Sequence, residues 1–225
     1  SRIEVVADPP LKWGGGDRSQ WLVARLAPVI SAAHSKALVI SPYFIPGEDG
    51  TARLAELTRR GVQVGVVTNS LAATDVHAVH SGYAKYRPRL LEHGVRLYEL
   101  RPYAMTAGRS RARREGASLH TKAFLLDDMR GFVGSFNVDP RSKDLNTEMG
   151  VLFDDAVLAA QLRTEYLRLT APSLSYVPYR TGNGQLRWLD ATTTPPVVMT
   201  HEPDVGPWPR ALVRLVGWLP VEPHL

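Results

Sequence analysis

Short apolar runs alternate with amphipathic stretches through the first hundred residues of the chain. The predicted elements are strands at 36–46, 62–69 and 95–101 and helices at 51–60 and 75–86. Asp75 is expected to cap the second helix, and Pro88 to mark its end. Strands that alternate with helices are typical of βαβ units, so we predict an α/β fold with a mixed, mainly parallel sheet flanked by helices.

The pattern changes to strict alternation in the stretch 118–148. Residues 119–126 and 132–138 alternate between apolar and polar positions on either side of a short polar turn, which predicts a β-hairpin. Side chains on a strand repeat every second residue, so each arm presents polar residues to a single face. The polar residues on that face are His120, Lys122, Ser135 and Asn137.

The pairing of these residues depends on the turn. If the turn is symmetric, His120 lies opposite Asn137 and Lys122 lies opposite Ser135, with Cβ atoms roughly 5 Å apart. A bulge at Gly131 would shift this pairing by one residue. In both cases the four polar groups cluster.

Two acidic residues flank this cluster. In the third alternating run, Glu148 is expected to face the same patch, to accept the imidazole N–H of His120 and so to fix its tautomer. Asp127 lies an odd number of residues from His120, and a regular strand would turn it away. We therefore predict a structural role for Asp127, in which it holds N–H groups of the turn.

Two further segments are distinctive. Residues 102–117 contain several arginines and predict a mobile basic loop, either simply solvated or attracting a phosphate-bearing substrate. Residues 207–220 predict an amphipathic helix with Trp208, Leu212 and Leu215 on one face and Arg210 and Arg214 on another. Packing on the domain and insertion into a membrane interface both fit this pattern.

Composition limits the partners. The formal charge is +5 and the pI is near 9.6, which favours anionic partners, either phosphodiester backbones or anionic lipid headgroups. The chain contains no cysteine, so disulfides, a thiolate nucleophile and cysteine-ligated zinc are excluded. No run of 18 apolar residues and no signal-peptide pattern is present in this sequence.

The polar cluster belongs to a longer string of fixed spacing, His120-x-Lys122-x4-Asp127-x6-Gly134-Ser135-x-Asn137. This string resembles the HxKxxxxD…GSxN (HKD) signature of the phospholipase D superfamily at every position. Longer segments, among them SPYFIPG, SLHTKAFLLDD and GSFNVDPRSKDLNTEMG, are similar to the second half of bacterial cardiolipin synthases, and the similarity covers most of residues 1–225.

The resemblance implies a single phospholipase D-like domain over residues 1–225, carrying one HKD motif where the family uses two. We therefore expect the C-terminal half of a two-motif enzyme, whose partner is an N-terminal half or a second subunit. It implies phosphatidyl transfer on an anionic phospholipid at the membrane surface, in the cytoplasm and peripheral to the inner membrane. Nucleic acid is not the expected substrate.

The implied mechanism passes through a phosphohistidine and requires no cofactor or metal. One histidine attacks phosphorus and another transfers protons, and His120 can fill either role. The expected catalytic residues are His120, Lys122, Asn137 and Glu148. Ser135 and His80 are expected to bind substrate, and Asp127 and Gly134 to complete the motif structurally.

Two other functions use the same groups. A phosphodiesterase or nuclease would need the same histidine and phosphate-binding residues, and assays on phosphatidylglycerol and an oligonucleotide would separate it from a phosphatidyl transferase. A noncatalytic half-site that acts only in binding or assembly is the third hypothesis. His80 stands one helical turn after His77, and packed or solvated histidines fit that spacing as well as a substrate contact does.

Overall fold

A single mixed sheet runs through the computed structural model, which describes residues 1–10, 12, 16–102 and 119–216. The strands are β1 (Arg2–Ala7), β2 (Lys36–Ile40), β3 (Gln63–Asn69), β4 (Arg96–Leu100), β5 (Lys122–Leu126), β6 (Arg130–Gly134), β7 (Met149–Asp154), β8 (Ser175–Arg180), β9 (Leu186–Asp190) and β10 (Val197–Met199). Their order across the sheet is β1-β7-β6-β5-β2-β3-β4-β8-β9-β10.

Helices cover both faces of this sheet. They are α1 (Leu22–Ser31), α2 (Gly47–Arg59), α3 (His77–Glu92), α4 (Pro140–Asp144), α5 (Ala156–Leu169) and α6 (Pro207–Val216), and a 3-10 turn at Arg18–Gln20 precedes α1. Asp155 caps α5 by accepting hydrogen bonds from the N–H groups of Val157 and Leu158. The α/β architecture with a mixed sheet and flanking helices is confirmed.

The alternation of side chains along the strands divides the core between the two faces. Val39 of β2 and Val66 of β3 pack in the larger core with side chains of α1, α2 and α3. The next residues, Ile40 and Val67, pack on the opposite face with Tyr166 of α5. Both faces of the central strands are therefore buried, which accounts for their continuous apolar sequence.

The expectation of a mainly parallel sheet is wrong. Among the described strands, β2 and β3 pair in parallel, as do β3 and β4, and the other neighbouring pairs are antiparallel. The βαβ pattern extends only from β2 to β4. Beyond these strands the chain is joined largely by hairpins, and a short turn can only connect antiparallel strands.

One expected boundary also changes. Helix α3 continues through Pro88 to Glu92, because buried Tyr86, Arg87 and Leu90 hold both sides of the proline. The described part of the C-terminal helix ends at Val216, within the predicted range 207–220. Apart from Pro102, the basic loop predicted at 102–117 lies outside the described residues.

Candidate active site

The motif hairpin forms, with a different register from the symmetric one. Strands β5 and β6 pair so that Lys122 lies opposite Gly134. The expected pairing of Lys122 with Ser135 is therefore wrong by one residue. The shift corresponds to the alternative in which the turn carries an extra residue.

The cause lies in the turn itself. Asp127 and Asp128 both have positive φ angles, 52° and 54°, and the N–H of Met129 donates to the carbonyl of Leu126 at 3.1 Å. Positive φ angles at both positions are typical of a two-residue type I′ turn, whose twist matches that of the two strands. Because Leu126 pairs with Arg130, Met129 is one residue more than such a turn needs and forms a bulge on the returning strand. The bulge is at Met129 and not at Gly131.

Ser135 reaches the site because the chain leaves the sheet there. Its N–H donates to the carbonyl of Met149 at 2.9 Å, but the N–H of Met149 donates back to the Ser135 hydroxyl at 3.0 Å, in place of the carbonyl that a continuing ladder would use. The same hydroxyl donates to a carboxylate oxygen of Glu148. Ser135 therefore joins the end of the hairpin to Glu148.

Glu148 is a buried hydrogen-bond acceptor in this cluster. Besides the Ser135 hydroxyl, its carboxylate accepts the hydroxyl of Ser142 at 2.7 Å and the side-chain amide of Asn146 at 3.3 Å. In the described part of the chain it makes no hydrogen bond to His120, so the expected tautomer-fixing contact is not observed. Glu148 instead holds the serines that shape the site.

Asn137 lies beside this cluster and is buried. Its main-chain N–H donates to the hydroxyl of Ser142 at 3.2 Å, which fixes the backbone where the chain passes into α4. Its side-chain Oδ1 is also buried and accepts no hydrogen bond from a described residue. A buried acceptor without a donor is costly, so Oδ1 of Asn137 has room to accept a hydrogen bond from a donor group.

Lys122 carries the buried positive charge of the motif. Its ammonium donates to the main-chain carbonyl of His120 at 2.7 Å. Burial lowers the pKa of Lys122, and the negative charges of Glu148, Asp139 and Asp75 raise it in opposition. The charges of three carboxylates thus act on one ammonium that has hydrogen-bond donors to spare.

His120 lies two residues before the start of β5 and is exposed. Its backbone is held on both sides: Lys122 binds its carbonyl, and Asn69 accepts the N–H of the preceding Leu119 at 2.9 Å. The imidazole makes no hydrogen bond to any described residue. A fixed backbone with an open imidazole suits a group that must attack, or exchange protons with, a bound substrate.

Asp127 has a structural role, as its odd spacing predicts, but it holds a different segment. Its carboxylate accepts hydrogen bonds from the main-chain N–H groups of His34, Ser35 and Lys36 at 2.8 to 3.2 Å. Burial raises the pKa of Asp127, but these donors outweigh burial and lower it to about 2. The residue ties the motif turn to the start of β2.

A buried ion pair beneath the site was not predicted. The Lys12 ammonium donates to Asp8 at 2.9 Å and to the carbonyl of Ser142 at 2.7 Å, and the side chains of Asp8 and Lys12 are both fully buried. Asp8 also accepts the main-chain N–H of Glu148 at 2.9 Å. The pair braces both Ser142 and Glu148. No sequence periodicity marks it, because its contacts span as many as 140 residues.

Two residues at the rim of the site were also missed. The Tyr43 hydroxyl donates to Asp75 at 2.8 Å, and burial together with this carboxylate raises the pKa of Tyr43 to about 12. Asp75 was expected to cap α3, but the capping residue is Val76, which makes no side-chain cap bond. Asp75 is instead held beside the motif, where its charge acts on Lys122.

His80 is buried, which its expected role in substrate binding did not anticipate. Its Nε2 lies 3.6 Å from Glu202, and its ring packs edge-on against Tyr83. It lines a cavity of about 10 Å³, room for about one water molecule, whose wall also contains Asn69. Through Asn69 this cavity is connected to Leu119, the neighbour of His120. The structure places His80 behind the site and not on its surface.

The described residues contain no group of three or more histidine and acidic side chains placed to hold a metal ion. None of the described helices combines the length and apolar character needed to cross a membrane.

The fold and the HKD cluster together define the phospholipase D superfamily. Residues 26–170 match the family model for "Cardiolipin synthase, PLD-like domain". The chain belongs to this family, and the resemblance seen in its sequence is confirmed.

Individual relatives support the same family and fold. The chain is 36% identical to Cardiolipin synthase C of Escherichia coli (strain K12) over 99% of its own length and 48% of the relative, so it spans about half the length of that protein. A phosphatidylserine synthase structure from Haemophilus influenzae Rd KW20 has a TM-score of 0.58 at 13% identity, covering 95% of this chain and 44% of the other. The phospholipase D family member Nuc from Salmonella typhimurium has a TM-score of 0.53 at 18% identity, covering 74% and 91% respectively. At these identities the two structures support the fold alone.

Proposed function

We propose that this chain supplies half of the active site of a cardiolipin synthase-like phosphatidyl transferase. The observation that carries the proposal is the pairing of an exposed imidazole, His120, with a buried ammonium, Lys122, whose hydrogen bond to the His120 carbonyl fixes the histidine backbone. A phosphodiester reaction needs a group that attacks or transfers protons and a positive charge at the phosphoryl oxygens. The similarity to Cardiolipin synthase C supports a phospholipid as the substrate.

The proposed reaction has two steps. One histidine attacks phosphorus and forms a P–N bond, while the P–O bond to the leaving alcohol breaks and that alcohol takes a proton from a second histidine. A glycerol-type hydroxyl then gives its proton to the second histidine and attacks phosphorus, which breaks the P–N bond. His120 serves in one role and the histidine of the other motif in the other.

The remaining motif residues bind the phosphate. Lys122 has two N–H groups left after its bond to the His120 carbonyl, and these donate to nonbridging oxygens. The side-chain N–H groups of Asn137 are donors, and we expect them to contact the phosphate oxygens, whereas its buried Oδ1 is an acceptor and does not bind phosphate. The Ser135 hydroxyl already donates its hydrogen bond to Glu148. We therefore expect Ser135 to bind phosphate more weakly than the sequence predicts. Because Lys122 supplies positive charge, the proposed mechanism requires no metal.

The other half of the site comes from a second HKD motif. The chain covers 48% of Cardiolipin synthase C and 44% of the phosphatidylserine synthase structure, so there is room in each for a second domain of this size. We expect an N-terminal half or a second subunit to place its histidine opposite His120. The substrate is an anionic phospholipid, which places the enzyme at a membrane surface, in the cytoplasm and peripheral to the inner membrane.

The test is His120→Ala in the complete enzyme, assayed on phosphatidylglycerol and on an oligonucleotide side by side. We expect transfer to fall roughly a hundredfold or more, because proton transfer or attack by this imidazole has no substitute among the described residues. His93→Ala, at the far end of α3, is the matched control and should keep activity. Transfer within about tenfold of wild type would refute the role of His120, and turnover of the oligonucleotide alone would identify a nuclease.

A further inference from the structure

Helix α6 has apolar side chains on both its inner and its outer face. On the inner face, which lies against α3, Val213 is 6% exposed. On the outer face, Trp208 is 84% exposed, Leu212 48% and Leu215 64%. The spacing of these three residues, four and then three positions, places them in one row along the helix.

Such a row is unusual on a water-facing helix. A surface helix of a soluble domain presents polar residues to the solvent and apolar residues to the core. Here the exposed positions of α6 that continue the row are also apolar, since Ala211 is exposed as well. We call the four residues Trp208, Ala211, Leu212 and Leu215 the outer face of α6.

Helix α6, Pro207–Val216, carries no acidic residue, and its described arginine, Arg210, is half-buried with its Nε enclosed. Arg210 donates to the main-chain carbonyl of Glu202 at 2.9 Å and forms no ion pair with a carboxylate of the described residues. The acidic groups nearby are engaged elsewhere: the Glu202 carboxylate binds Arg87, and Asp204 accepts the hydroxyl of Tyr176.

We propose that the outer face of α6 is the surface by which this domain docks on an anionic lipid bilayer. The four apolar side chains enter the boundary between headgroups and acyl chains, and the net charge of +5 on the chain favours an anionic surface. Tryptophan suits the end of such a row, because its ring is apolar and its indole N–H is polar. The inference rests on the proposed function in one respect, that the substrate lies in a bilayer.

A bilayer fits this surface better than a protein partner does. The ten described residues of α6 span about 15 Å, and one face of that length offers far less than the roughly 800 Å² that each partner of a stable protein complex buries. An interfacial helix needs no complementary groove, and the net charge of +5 on the chain, with no acidic residue on α6, favours an anionic surface.

The experiment is co-sedimentation of the 225-residue chain with vesicles of phosphatidylglycerol mixed with phosphatidylcholine, and with vesicles of phosphatidylcholine alone. We expect binding to the mixed vesicles that weakens with added salt, because exposed charges are screened. Leu212→Ser, Leu215→Ser and Trp208→Ser should each lower the partition coefficient roughly tenfold or more, as expected for removing one large apolar group from the lipid.

Leu167→Ser is the matched control. Leu167 is 57% exposed on α5, outside the outer face of α6, and its replacement should leave vesicle binding unchanged. Thermal unfolding of each variant shows whether it folds, and Leu212→Ala, a milder change, replaces any serine variant that does not. Equal binding by the folded α6 variants and wild type would overturn the proposal. So would an oligomeric state that changes with Leu212→Ser while vesicle binding does not, which would identify a protein contact.

Two further measurements separate this inference from the proposed function. His120→Ala should bind vesicles as wild type does, because α6 acts without the histidine. In the complete enzyme, Leu212→Ser should keep transfer on detergent-dispersed phosphatidylglycerol and lose it on vesicles. Vesicle binding by the complete enzyme without any transfer would contradict the proposed function alone, whereas full transfer on vesicles by its Leu212→Ser variant would contradict the α6 inference alone.

Discussion

Asp127 illustrates how one residue of the HKD motif can act through the backbone of another segment. Its carboxylate accepts N–H groups of His34, Ser35 and Lys36, and these bonds connect the motif turn to the beginning of β2. The bonds favour the ionised form, which is why the pKa falls to about 2. The residue therefore contributes to stability in a way that depends on pH.

We expect Asp127→Asn to lower the free energy of unfolding at pH 7 by about 1 to 2 kcal/mol, allowing for solvent screening. The folded-state pKa is depressed below the ordinary value of 3.8, so this contribution is complete above about pH 4 and is lost as the pH falls through about 2. Denaturant unfolding from pH 7 to pH 2.5 measures it: the gap between wild type and variant should narrow at the acid end. The control variant is Asp128→Asn, which changes the neighbouring turn position and keeps the hydrogen bonds of Asp127. A gap that stays constant with pH would contradict the argument.

Gly134 is a second structural residue of the motif, because the backbone of β7 passes close to its Cα. A Cβ at this position would lie 2.3 Å from the Met149 carbonyl oxygen and 2.7 Å from the Cα of Gly150. Gly134→Ala should therefore destabilise the domain by about 2 to 3 kcal/mol, because strand β7 cannot move without disturbing the site. Gly182→Ala, where a Cβ meets nothing within 4 Å, is the control in the same denaturation assay. Equal stability of the two variants would argue against the close contact.

At the scale of elements, the site is held by the segment between β1 and α1. This segment contributes the Asp8–Lys12 pair, which binds the carbonyl of Ser142 on α4 and the N–H of Glu148 before β7. One ion pair thus holds Ser142, whose hydroxyl binds the Asn137 backbone, and Glu148, whose carboxylate binds Ser135. Buried pairs of this kind specify an arrangement more than they add net stability.

Lys12→Met should lower the free energy of unfolding by about 3 to 5 kcal/mol, because it leaves Asp8 charged and buried without its partner. Lys143→Met, which removes an exposed lysine on α4, is the matched control and should change little. The double variant Asp8→Asn with Lys12→Met should recover part of the stability but not the phosphatidyl transfer of the complete enzyme. Full transfer by the folded double variant would show that the pair is not needed to position the site.

At the scale of the whole molecule, we do not expect one HKD motif to catalyse phosphatidyl transfer by itself. Catalytic groups act as a unit, and a chain with one of two histidines loses most of the rate. The 225-residue chain alone should be nearly inert. Mixing it with a separately made N-terminal half should restore phosphatidyl transfer, and His120→Ala in the chain should prevent that rescue. Turnover by the chain as a monomer, verified by sizing at the assay concentration, would contradict the two-motif proposal.

The sequence by itself determined the elements and the identity of the motif. Apolar periodicity located the βαβ core, and the fixed spacing of His120, Lys122 and Asn137 was sufficient to indicate the family. The odd spacing of Asp127 predicted a structural role, and its hydrogen bonds to backbone N–H groups agree with that role. These inferences succeed because each depends on residues close together in the chain, where the period of a strand or helix decides which side chains share a face.

The tertiary structure alone decided how these pieces meet. One extra residue, Met129, shifts the hairpin register, and the departure of the chain from the ladder at Ser135 brings its hydroxyl to Glu148. The Asp8–Lys12 pair with its contacts to α4, and the burial of His80 against Glu202, join positions more than a hundred residues apart. Periodicity specifies the face on which a side chain lies, but not the residue it meets there, because that contact is set by packing between elements distant in the sequence.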